Sequence, residues 1–170
     1  MLIQRPNVLD FEASGFGVDS YPIEVGIVLS SGQKYCSLIK PADSWQHWDE
    51  QAEQIHGLSR SQLLRHGKSI GTIASELNSF LRHKIIYSDG WVVDKPWLSR
   101  LFFDCSQQPL FQLSPLEMIL KEPQMAIWAA TKHQVMAELD FPRHRASTDA
   151  LIIQETYART QQLTSPSAIA

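Results

Sequence analysis

The chain has 170 residues, of which 44% are hydrophobic and 19% charged, and its formal charge is −3. That balance suits one folded domain with a sizeable core and excludes an intrinsically disordered chain. No apolar run approaches the roughly 20 residues needed to span a bilayer, and the acidic excess excludes a protein that coats nucleic acid by charge alone. Met1 to Pro6 runs straight into the first apolar run and leaves no room for a signal peptide, so a cytoplasmic location is expected. Cys36 and Cys105 match no metal-ligand spacing and are read as buried, reduced thiols.

The run from Val8 to Gly15 opens the chain as a buried strand. Pro22 to Leu29 and Gln33 to Ile39 follow after short connections and predict an antiparallel meander of three strands. The period then changes. Trp45 to His56 carries polar residues at helical spacing until Gly57 stops it, and Ser59 starts a second short helix. Ser69 to Leu81 is a stronger helix, with Ile70, Ile73, Ala74, Leu77, Phe80 and Leu81 in one stripe. Lys84 to Tyr87 is a short β-like run. Asp94-Lys95-Pro96 reads as an N-cap and a first-turn proline, making Trp97 to Phe103 helical. Leu110 to Leu113 is the last expected strand. Ser114-Pro115 then opens a helix broken near Pro123, and Ala126 to Leu139 continues it. Pro142 to Arg145 is a connector, and Ala146 to Ala158 an amphipathic helix. The expected architecture is an α/β domain over residues 1–159 with a mixed five-stranded sheet flanked by helices, and a flexible tail over 160–170.

The first strand carries the chemistry. Side chains alternate across a strand, so Leu9, Phe11 and Ala13 share one face while Val8, Asp10 and Glu12 share the other. Two stacked carboxylates on a buried strand repel each other and lose hydration, a cost that a divalent cation removes. They also fall at the carboxyl end of the strand, where open sheets of this class gather ligands.

Three later segments fit a site completed from distant parts of the chain: Val93 to Leu98 with Asp94, His144 to Asp149, and the turn Gln54 to Ser59 containing Ile55 and His56. Five helical steps leave two side chains about 140° apart, so His144 and Asp149 can converge only if His144 lies in the connector before the helix. Pro142 favours that placement. Asp89 competes with Asp94 for a metal role, with Asp94 preferred for the apolar residues that follow it. Trp97 and Trp128 are assigned to the core, and Trp45 and Trp48 to a partly exposed segment. Arg143, His144 and Arg145 form a small basic cluster that would attract phosphate.

Taken together, these segments resemble the DEDDh family of 3′–5′ exonucleases, the group containing bacterial proofreading subunits and RNase T. The motifs are acid-x-acid at Asp10 and Glu12, an acid at Asp94, and His-x4-Asp at His144 and Asp149, with the Ile-His-Gly-Leu-Ser turn at residues 55–59 between them. The likeness spans roughly residues 7–158. It departs at Ser88-Asp89-Gly90, where many relatives carry His-Asn, and at Pro96. The resemblance implies an RNase H-like fold and a two-metal hydrolysis of phosphodiester bonds at 3′ ends of single-stranded DNA or RNA, releasing nucleoside 5′-monophosphates.

It further implies two Mg²⁺ ions, with Mn²⁺ able to substitute. Asp10 would bridge both, Glu12 and Asp149 would hold the ion that carries the attacking water, and Asp94 would help position the second. His144 would be the general base, since an imidazole titrates near about 6.5 in simple peptides. Ala13, Ser14, Gly15 and Phe16 would receive the terminal nucleotide, with Phe16 as a wedge and Ile55 and His56 on the opposite wall. A homodimer extends from several relatives as an expectation. The alternative is a catalytically inactive RNase H-like module that binds nucleic acid or a protein partner.

Overall fold

A computed structural model describes residues 4–139 and 144–165. Five strands form one mixed sheet: β1 (Val8–Ala13), β2 (Pro22–Val28), β3 (Lys34–Leu38), β4 (Ile85–Ser88) and β5 (Gln112–Pro115). Their spatial order is β3-β2-β1-β4-β5. The first three pair antiparallel as the short connections require, and β4 and β5 add in parallel. Six helices flank the sheet: α1 (Glu50–His56), α2 (Arg60–His66), α3 (Ile70–Leu81), α4 (Trp91–Asp104), α5 (Glu122–Leu139) and α6 (Ala146–Leu163). This is the expected α/β architecture.

The alternation on β1 sorts the core into two layers. Leu9 and Phe11 pack with Val25, Ile27, Ile73, Leu77, Leu98 and Phe102 beneath α3 and α4. Val8 packs on the opposite face with Val28, Leu116, Ala150, Ile153 and Tyr157, beneath α6. Asp10 and Glu12 therefore lie on the α6 side of the sheet.

Register decides how α6 reaches them. Directly opposed residues of an antiparallel pair share a face, so Asp10 lies beside Gly26 and Glu12 beside Glu24. A Cβ on Gly26 would fall 2.1 Å from the main chain of Ala146 and Ser147. The bare glycine lets the start of α6 lie against the strand. Gly26→Ala is expected to cost about 3 kcal/mol or more, because the clash is with backbone rather than a side chain that can rotate. Urea unfolding would measure that loss as a lower midpoint at unchanged slope.

Several boundaries differ from those expected of the sequence. Helix α1 starts only at Glu50, capped by Asp49, whose side chain accepts from Gln51 N–H, and it ends at Gly57 in the left-handed region (φ 69°). Trp45 precedes it and is wholly buried, stacked on Tyr21 at 5.0 Å with its Nε1–H donated to Asp104. Asp94 is not an N-cap. Helix α4 begins at Trp91 behind Gly90, which puts Asp94 inside its first turn and Pro96 in its interior. The carbonyl deprived of a helical partner by Pro96 belongs to Val92, an exposed residue.

Pro115 ends β5 rather than opening a helix; a short 3₁₀ turn, Leu116–Met118, follows it. Pro123 sits in the first turn of α5, where its missing N–H costs nothing, instead of breaking a helix. Helix α6 continues past Ala158 to Leu163, since Thr160 is buried and accepts a hydrogen bond from Gln124 Nε2 at 3.2 Å. The rest of the expected tail, from Pro166, lies outside the described residues. Cys36 is exposed on β3 rather than buried, and both cysteines are free thiols. Among the described residues, no helix is long and apolar enough to cross a membrane.

Candidate active site

Helix α6 begins at Ala146, so His144 falls in the connector before it and its side chain turns back toward Asp149. One ligand atom from each of Glu12, His144 and Asp149 lies within 4.8 Å of the others. These three come from β1, the connector and the first turn of α6. Asp10 adjoins them, flanked by the charges of Asp94, Asp149, Glu12 and Asp89. Asp94, 2% exposed, is held from α4 by the Ser88 hydroxyl and by the main-chain N–H of Phe11.

Crowding of buried acids sets the electrostatics. Loss of hydration, then the charges of Asp94, Asp149, Glu12 and Asp89, hold Asp10 well above the ordinary carboxylate range. Burial, with the Asp149 and Glu24 charges and a hydrogen bond shared with Asp149, pushes Glu12 up to about 8; Arg145 opposes it. Burial, aided by Asp89, raises Asp94 to about 7 against the Ser88 and Phe11 hydrogen bonds. Without a cation, the cheapest way to fold this cluster is with protons on it.

Stability should therefore depend on pH in one direction. These groups hold protons in the folded state that the unfolded chain releases near pH 4, so their stabilisation is complete below that and is lost as pH rises toward 8. In chelator, the melting temperature should be roughly 5 °C lower at about pH 8.5 than at about pH 5.5. Glu12→Gln should flatten that slope, and Mn²⁺ added at the higher pH should restore the lost stability. A flat profile in chelator would show that the acids do not repel one another.

Beside the acids lies a cleft of about 300 Å³ whose walls include Asp10, Glu12, Asp94 and His144. Ala13, Gly15, Phe16, Ile55 and His56 also line it. Phe16 and Ile55 are exposed at its mouth. Ser14 does not reach the cleft. It is buried, its Oγ lies 3.0 Å from His47 Nδ1, and it accepts from the Tyr21 N–H at 3.1 Å.

His56 is the unusual wall residue. Its Nδ1 accepts from the Leu58 N–H at 3.0 Å, which leaves the proton on Nε2. That buried Nε2 has no hydrogen-bond partner among the described residues. Burial lowers the pKa of the ring, so it stays neutral and its Nε2–H is a donor.

Asp89 is turned to Lys132 of α5, with Oδ2 and Nζ 2.5 Å apart. Arg145 is committed to Glu24, with which it pairs at 2.6 Å; Arg143 lies outside the described residues. Trp97, Val93, Gly90 and Ala52 also line the cleft wall and were not expected there from the sequence. Trp97 and Ala52 had a signal: each lies three or four residues from Asp94 or from Ile55 and His56, on the same helical face. Ser88, Glu24 and Lys132 had none, since they meet their partners only through the tertiary fold.

No protein-family model matches the chain, and no curated protein matches it. Solved structures do. The zinc-ion-bound form of Escherichia coli exonuclease I with single-stranded DNA aligns at a TM-score of 0.72 and 14% identity, covering 96% of this chain and 42% of that one. The same enzyme with a dA16 oligonucleotide gives 0.69 and 12%, covering 94% and 42%. An apo form of exonuclease I gives a TM-score of 0.69 and 14% identity, covering 97% of this chain and 44% of that one. The chain thus spans less than half the length of these proteins, and at such identities the likeness speaks for architecture alone. The chain has an exonuclease-like α/β fold, with an acid- and histidine-lined cleft at the carboxyl end of β1.

Proposed function

We propose that the chain is a divalent-metal-dependent 3′–5′ exonuclease that hydrolyses the terminal phosphodiester bond of single-stranded DNA or RNA and releases nucleoside 5′-monophosphates. The observation that carries this reading is the convergence of Glu12, His144 and Asp149 beside Asp10 and Asp94, in one cleft with an apolar wall. The exonuclease I structures with single-stranded oligonucleotides support it by fold.

The donor set fits hard cations. Carboxylate oxygens dominate it, and the elevated proton affinities of Glu12 and Asp94 mark positions where positive charge is wanted. Asp10, Glu12, Asp94 and Asp149 would hold two Mg²⁺ ions, or Mn²⁺ in their place. When bound, such ions neutralise charge on the scissile phosphate and acidify a water.

The chain's own groups do the rest. An imidazole nitrogen of His144 accepts the proton of the attacking water. Phe16 stacks on the terminal base, a contact that tolerates any base and contributes about 1–3 kcal/mol. The Nε2–H of His56 donates to an acceptor on the base or sugar in the cleft, and the main chain at Ala13 and Gly15 borders the sugar. Ser14 holds that segment through its hydrogen bonds to His47 and Tyr21.

The test offers 5′-labelled single-stranded DNA, single-stranded RNA and a mismatched duplex to purified protein with Mg²⁺ or Mn²⁺. Laddering by single nucleotides from the 3′ end, with 5′-monophosphate products and inhibition by chelator, is the expected result. Intact substrates that are nevertheless bound would favour a non-catalytic nucleic-acid-binding module. The ranking of the three substrates assigns the preference between DNA and RNA, and sedimentation of the same sample tests for a homodimer.

A further inference from the structure

We propose that Glu24 is a positioning residue that holds the general base His144 in place through Arg145 and Ala146; this rests on the exonuclease reading. Glu24 is fully buried on β2, directly across from Glu12 in the β1–β2 register. Like charges opposed across two strands are unfavourable, and a buried carboxylate without partners costs several kcal/mol. Beyond a weak contact from the Cys36 thiol at 3.7 Å, Glu24 is compensated by the two residues that follow His144. Arg145 donates from Nε to both carboxylate oxygens at 3.1 Å and from a terminal nitrogen at 2.6 Å, and the Ala146 N–H donates at 3.0 Å. The carboxylate thereby satisfies one of the orphan donors at the start of α6.

This anchorage matters because of the backbone at His144. The residue adopts φ 58°, in the left-handed region that few non-glycine residues occupy. One side of His144 is fixed by the Glu24 clamp at Arg145 and Ala146. Asp149 does not depend on it, since the body of α6 is packed through Ala150, Ile153 and Tyr157. The clamp therefore acts on the imidazole. It is also specific in shape: the planar guanidinium matches a carboxylate in two parallel bonds, which a lysine or an amide would not reproduce.

The test compares Glu24→Gln and Glu24→Ala in the full chain with wild type, each also combined with His144→Ala. Glutamine keeps an acceptor for the Ala146 N–H but loses the charged fork. Turnover per folded molecule should fall by about 10-fold in Glu24→Gln and about 100-fold in Glu24→Ala, with KM within about 2-fold, as expected for misplacement of a reacting group. In the His144→Ala background neither substitution should reduce turnover further. Equal losses in both backgrounds, or a loss that only tracks the unfolded fraction, would overturn the proposal.

A second readout needs no turnover. The imidazole nitrogen resonances of His144 should shift in Glu24→Gln while those of His66 and His83 stay put. Unmoved His144 resonances would sink the positioning role. Absence of nuclease activity in the wild type would instead sink the exonuclease reading and leave this measurement standing.

Discussion

Asp10→Asn should lower exonucleolytic turnover by about three orders of magnitude while making the metal-free protein more stable. The two effects have one cause. Asp10 is raised by burial and by the charges of Asp94, Asp149, Glu12 and Asp89 together. An amide of the same shape removes the repulsion and retains the fit, and with it goes the charge that would hold cations between β1 and α6. The gain should appear only where the native carboxyl would otherwise ionise or hold its proton against the solvent, that is, above the pH at which an unfolded aspartate titrates. At about pH 8 in chelator it should amount to roughly 3 °C in melting temperature, and it should vanish near about pH 4. A variant that lost activity and stability together would mark Asp10 as a structural acid.

His144→Ala should reduce turnover by about 10²–10³-fold without an equal loss of cation affinity. Geometry alone permits two roles here, because the imidazole sits within ligand distance of Glu12 and Asp149. A general base can be removed while carboxylates go on binding Mn²⁺; a ligand cannot. Titration of Mn²⁺ into the variant should therefore give a dissociation constant within about 3-fold of wild type, and added imidazole should restore part of the turnover. A loss of Mn²⁺ affinity matching the loss of turnover would reassign His144 as a ligand.

Much of this site is legible in the order of the amino acids, and the reasons are local. Strand alternation puts Asp10 and Glu12 on one face because a side chain's face depends only on its neighbours in the chain. Helical geometry requires His144 to precede α6 if it is to meet Asp149, and α6 does begin at Ala146. The short connections between the first three strands dictate their antiparallel pairing.

Where local signals compete, the sequence misleads. Pro96 suggests a helix start at Asp94, yet α4 begins at Trp91 and runs through the proline, with Trp97, Leu98, Leu101 and Phe102 buried beyond it. The polar run after Ala158 suggests a loose end, but Thr160 is covered by Gln124 of α5. Trp45 lies in a segment expected to be partly exposed and is the largest fully buried side chain among the described residues.

The amino-acid order by itself determined which candidate side chains share a strand or helix face, since strand and helix periods are properties of consecutive residues. Only the tertiary structure decided how closely they approach. Gly26 lets α6 lie against β2, Glu24 reaches the residues beside His144 from 122 positions away, and Ser88 turns Asp94 toward β1. Those contacts join residues that no periodicity relates. They exist because burial of two apolar layers fixes the register of strands and helices, and that register carries the polar groups along with it.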